Sequence, residues 1–134
     1  MNETSRVRER GAALIEFALV LPIVVCVTFM VIDFGRAFYV KNVVEQISRE
    51  GARQLAVGRT VDEVRANIKA LANQAGLDSS QTNVDPKDNY SVDQVRCQVT
   101  QTFTWIFPGV VQYFVPGKSP TDNLIGAVVM RREG

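Results

Sequence analysis

The chain has 134 residues, with 15 Lys or Arg against 14 Asp or Glu and a formal net charge of +1. That balance leaves no large basic face for nucleic acid. The absence of histidine removes the usual general base and the commonest metal ligand. Two cysteines, Cys26 and Cys97, are too few and too far apart for a disulfide framework, and they read as small buried apolar residues.

Residues 1–10 are polar and net positive through Arg6, Arg8 and Arg10, with no hydrophobic pattern. Gly11 follows. From Ala12 to Ile32 the chain is apolar except for Glu16, Thr28 and Pro22. At 1.5 Å per residue this helix is about 31 Å long, enough to cross a hydrocarbon core. The arginines beside it predict a cytoplasmic N-terminus and an exported C-terminal part. Pro22 removes one helix hydrogen bond and marks an expected kink.

Past Asp33 the pattern changes without a turn signal. Phe34, Ala37, Val40, Val44, Ile47, Gly51 and Leu55 recur at steps of three and four, one face of a continuing helix. Gly51 on that face predicts close approach of another segment, Glu45 and Arg49 form an i,i+4 pair, and Gly58 ends the helix. The single helix therefore runs from about residue 12 to 57. Asp33, Arg36 and Lys41 read as a solvated face at the far membrane edge.

Thr60-Val61-Asp62-Glu63 is a capping box. It opens a second amphipathic helix, with Val61, Val64, Ile68, Leu71 and Ala75 as its stripe and Gly76 as its stop. Residues 77–91 read as an exposed connection. From Val95 the period is two. Val95, Cys97, Val99, Phe103 and Trp105 alternate with polar residues as a half-buried strand, interrupted at Phe107-Pro108-Gly109. Val110 to Val115 is a helical turn or a second strand, and Leu124 to Met130 is a last strand. The expected class is α+β: a long helix, a short helix, and a small antiparallel sheet of two or three strands packed on the exposed half of the long helix.

The run Gly11-Ala12-Ala13-Leu14-Ile15-Glu16-Phe17-Ala18-Leu19-Val20-Leu21-Pro22 resembles the start of TadE-like proteins, the pseudopilins or minor pilins of tight-adherence (Flp) pilus systems. Phe34-Gly35-Arg36-Ala37, Arg49-Glu50-Gly51-Ala52-Arg53 and Ala127-Val128-Val129-Met130-Arg131 continue the likeness. The resemblance implies a leader, residues 1–11, cut by a prepilin peptidase between Gly11 and Ala12. It implies a transmembrane helix over 12–32 and an exported head over 33–134. Glu16, fifth in the mature chain, would pair with the new amine of Ala12 on this subunit or a neighbour. Implied partners are the peptidase, a companion minor pilin, the major Flp pilin, the inner-membrane assembly platform and the lipid bilayer.

Other readings compete. A cleaved secretory signal is opposed by the length of the apolar run and by Glu16 within it. A static single-pass anchor presenting a binding head, or a pilus-tip adhesin using Phe103, Trp105, Phe107, Tyr113 and Phe114, remain alternatives, although alternating strand aromatics more often form core. Asp78, Asp85, Asp88 and Asp93 do not have the spacing of a calcium loop and read as solvated. No catalytic residue, metal or cofactor is expected, and an enzyme is the weakest class.

Overall fold

The computed structural model describes residues 3–109, 112, 116–117 and 119–132, with side chains from residue 11 onward apart from residue 12. Five elements follow in chain order: α1 (Glu3–Ala56), α2 (Val61–Gln74), β1 (Thr82–Ser91), β2 (Gln94–Thr104) and β3 (Thr121–Arg131). The class is α+β. Residues 110–115, where a helical turn or a strand was open, lie outside the described residues except Gln112.

α1 is one helix of 54 residues, about 80 Å long at helical rise, and it continues through Pro22. It begins earlier than residue 12, where residues 3–10 are rich in Glu and Arg, both good helix formers. It ends at Gly58, whose φ of 84° is open to glycine at little cost. There the Gly58 N–H donates to the Leu55 carbonyl at 3.0 Å and the Arg59 N–H to the Gln54 carbonyl at 3.1 Å. The Thr60 side chain accepts from the Glu63 N–H, and the Glu63 carboxylate accepts from the Thr60 N–H, completing the expected capping box of α2.

The three strands form an antiparallel meander in the order β1-β2-β3. It packs against the C-terminal half of α1, with α2 beside it. Val44, Ile47, Ala52 and Leu55 of α1 meet Val64, Ile68 and Ala72 of α2 and Val84, Val95, Cys97 and Val99 of the sheet. Two glycines set the spacing. A Cβ on Gly51 would lie 2.5 Å from Cys97 Sγ, and one on Gly126 would lie 2.8 Å from the Val44 carbonyl oxygen and Ser48 Oγ. Ser48 Oγ is 2.6 Å from the Val44 carbonyl and 3.0 Å from that of Gly126, so its proton lies where β3 crosses the helix.

The sheet departs from expectation at one strand. Part of the segment read as an exposed connection is β1, with Thr82, Val84 and Pro86 turned inward. Its alternation is real but is carried by a threonine and a proline. Pro86 is tolerated because β1 is an edge strand. Pairing to the β2 backbone, from Thr82↔Gln101 to Lys87↔Arg96, outweighs the polar composition. The hairpin closes through Val92-Asp93, and Asp93 adopts a φ of 55°, which aspartate tolerates. The expected Glu45–Arg49 pair is absent. Glu45 meets Lys41 at 3.2 Å instead, and Arg53 pairs with Glu50 at 2.8 Å.

Candidate functional site

Residues 13–25 of α1 are exposed at every position. Leu14, Ile15, Phe17, Leu19, Ile23, Val24 and Val31 are all exposed, and none of the apolar window is buried. An apolar surface of this length is not left facing water. Among the described residues this is the one helix long and apolar enough to cross a membrane. Thr28 hides its hydroxyl by donating to the Val24 carbonyl at 2.8 Å, as helices in apolar surroundings require.

Glu16 is exposed on this surface, and among the described residues it has neither an ion-pair nor a hydrogen-bond partner. Gly11 lies in the helix with open space where a Cβ would stand. The side chains of Arg6, Arg8, Arg10 and Ala12 lie outside the described residues. Among the described residues Glu16 is thus an isolated carboxylate on an apolar rod.

Where the rod leaves its apolar run, the head grips it. Asp33 is 0% exposed. Its Oδ1 accepts the Ile106 N–H at 3.1 Å, its Oδ2 accepts the Phe107 N–H at 2.9 Å, and Arg36 Nη1 approaches Oδ1 at 3.3 Å. Phe107 stacks on Phe29 with centroids 3.9 Å apart, while Trp105 meets Phe34 and Phe103 edge-on at 5.6 and 5.2 Å. The Trp105 indole N–H donates to Asp122 at 2.9 Å, and the Arg36 guanidinium lies 5.1 Å from the Phe103 ring centre.

This corrects the reading of Asp33 as a solvated marker of the membrane edge. The carboxylate is buried because the bend after β2 has two backbone N–H groups with no strand to receive them. Arg36 and Lys41 keep part of their side chains in solvent, as expected, but both are engaged: Arg36 on Asp33, Lys41 on Glu45 and the Ile125 carbonyl. The signal for Asp33 was present in the sequence. It shares a helical face with Phe29, Ala37, Val40 and Val44, the face that meets the head.

The other candidates are dispersed. Phe103 and Trp105 are buried rather than displayed, and Tyr113 and Phe114 lie outside the described residues. Ser80 donates its hydroxyl and N–H to Asp78, holding that carboxyl below its ordinary range. Asp85 meets Lys87 at 3.5 Å, and Asp88 meets Arg132. Among the described residues no cluster of three potential metal ligands forms. Cys26 and Cys97 are both free thiols.

A family model described as TadE-like protein matches residues 11–53. Over this stretch the chain is similar to TadE-like proteins. The match opens at Gly11, crosses the exposed apolar half of α1, includes Asp33 and Arg36, and closes at Arg53 beside the core. No curated protein and no solved structure matches the chain. The TadE-like match links the chain to pilus systems of the tight-adherence type, a structural rather than an enzymatic setting. The long apolar helix, together with this match, suggests a membrane-anchored protein.

Proposed function

We propose that this chain is a minor pilin or pseudopilin that helps to assemble or initiate a tight-adherence (Flp) pilus, laying the first half of α1 among the helices of other pilin subunits. The observation that carries this reading is the exposure of every residue from 13 to 25 on that half-helix, with the carboxylate of Glu16, unpaired among the described residues, on it. Such a surface is stable in lipid or against other apolar helices, and the TadE-like match begins at its first turn.

In this reading the prepilin peptidase cuts between Gly11 and Ala12, where glycine offers no side chain to obstruct it. The released amine of Ala12 stands about 6 Å along the axis from Glu16. An unpaired carboxylate costs about 2.5–3.5 kcal/mol at a bilayer centre and less near its edge, so a neighbouring ammonium favours packing of helices in register. Arg6, Arg8 and Arg10 hold the leader on the cytoplasmic side of a bacterial inner membrane, and residues 33–134 project outward as the head. Pro22, which leaves the Ala18 carbonyl without its helical donor, supplies the place where the rod can bend during withdrawal from lipid. The companions are another minor pilin, the major Flp pilin and the membrane assembly platform.

The test is the mature N-terminus of protein purified from its native cells. Sequencing should begin at Ala12, Gly11→Trp should leave the leader attached, and Glu16→Ala should be cut normally yet lose pili. Pili formed at normal levels by protein that still begins at Met1 would overturn the proposal in favour of a static anchor.

A further inference from the structure

The head does not stop at the end of the apolar run. Phe107 stacks on Phe29, three residues before Ile32, so the bend after β2 reaches about 4.5 Å back along the apolar segment. Ile106 in that bend is 51% exposed, and its backbone N–H is held by Asp33, whose chain neighbours Ile32 and Phe34 in α1 are also exposed. Non-helical backbone at this depth is tolerated only if its polar groups are satisfied by protein. Asp33 does this for two consecutive N–H groups, those of Ile106 and Phe107. Trp105, just above, donates its backbone N–H to the Pro120 carbonyl at 3.1 Å and its indole N–H to Asp122.

We propose that the segment Ile106–Gly109, a bend at Ile106–Phe107 that passes into helix at Pro108–Gly109, is a membrane-seating wedge, inserted between the headgroups and upper acyl chains of the leaflet facing the head, with Asp33 as its backbone cap. The proposal rests on the reading of α1 as membrane-spanning and adds a second point of contact. The occupant is lipid because the exposed residues of the bend continue a surface that already faces lipid. Aromatic and apolar groups with satisfied polar handles are the residues enriched at that boundary. The wedge fixes the height of the head and limits its rocking about the helix.

The chain has one tryptophan, which makes the test direct. The full chain is reconstituted into vesicles of phosphatidylcholine and phosphatidylglycerol carrying nitroxide lipids, labelled either near the ester or near the bilayer centre. Trp105 of the unaltered chain should lose more emission to the shallow label than to the deep one. In a Trp105→Phe background, Ile106→Trp should do the same, and should emit further to the blue than Val92→Trp at the β1–β2 hairpin. Val24→Trp, midway along the apolar run, should be quenched best by the deep label. If Val24→Trp is quenched while Ile106→Trp and native Trp105 respond only to aqueous acrylamide, the wedge is wrong and the span stands. If Val24→Trp also escapes both lipid labels, the span itself is wrong and the wedge falls with it.

Discussion

Gly51→Ala tests the closest approach in the head. The added Cβ would stand 2.5 Å from Cys97 Sγ, 3.3 Å from Cys97 Cβ and 3.2 Å from Ile68 Cγ1. Sulfur and carbon in contact need roughly 1 Å more than the shortest of these, and neither backbone moves independently, because α1 and β2 share one core. Overpacking of this kind costs about 1–3 kcal/mol. Against it, alanine in a helix interior gains about 1 kcal/mol over glycine. The single variant should therefore be less stable by up to about 2 kcal/mol. The cleaner quantity comes from a cycle with Cys97→Ala, which removes the sulfur and leaves the 3.3 Å Cβ contact, tight but adjustable. Helix propensity cancels in the cycle, so the coupling should be about 1–3 kcal/mol, with the double variant more stable than the two single losses would sum to. Denaturant unfolding of the full chain in detergent micelles, followed by Trp105 emission, reads all four corners. A coupling of zero would refute the contact.

Asp33→Asn retains one carbonyl acceptor for two donors, so it should cost about 1–3 kcal/mol in the same assay, and Asp33→Ala more. Hydrogen bonds from Arg53 and Gln54 hold the Glu50 carboxyl below its ordinary 4.5. A depressed carboxylate stabilises the fold above its unfolded pKa, and that contribution is lost as pH falls through the folded one. The stability gap between the unaltered chain and Glu50→Gln should thus be about 0.5–1 kcal/mol at neutral pH, after screening, and close in acid. Burial, reinforced by the charge of Asp85, pushes the Cys97 thiol up to about 11. In a Cys26→Ala background, maleimide should label Cys97 at neutral pH only after unfolding; ready labelling of the native protein would show that the thiol is accessible.

Where the sequence was informative, a period or a paired signal reported burial directly. Val64 and Ile68 in α2 and the alternation from Val95 to Phe103 were legible because apolar identity and position agree. Thr60 with Glu63 was legible because both halves of the capping box are local. Gly51 was legible because a glycine amid the apolar face of a helix gives up helix propensity, and close packing is what that loss makes room for. β1 was not legible, because its inward positions are filled by Thr82 and Pro86 and its stability comes from a partner strand. Asp33 was misread for a related reason. Its place on the inward helical face was there to be read, but its partners are two backbone donors more than seventy residues away, which no window around Asp33 contains. Lys41 took Glu45 from Arg49 because helix spacing allowed either pair, and spacing alone does not choose.

The head is built on the same unbroken rod that crosses the apolar run, with no swivel between them. Each residue of an α-helix advances the azimuth by about 100°. Inserting or deleting one residue between Pro22 and Ile32 would therefore turn the entire sheet about a third of a revolution relative to Glu16. The compass bearing of the head with respect to its neighbours is thus encoded as a residue count within the greasy segment.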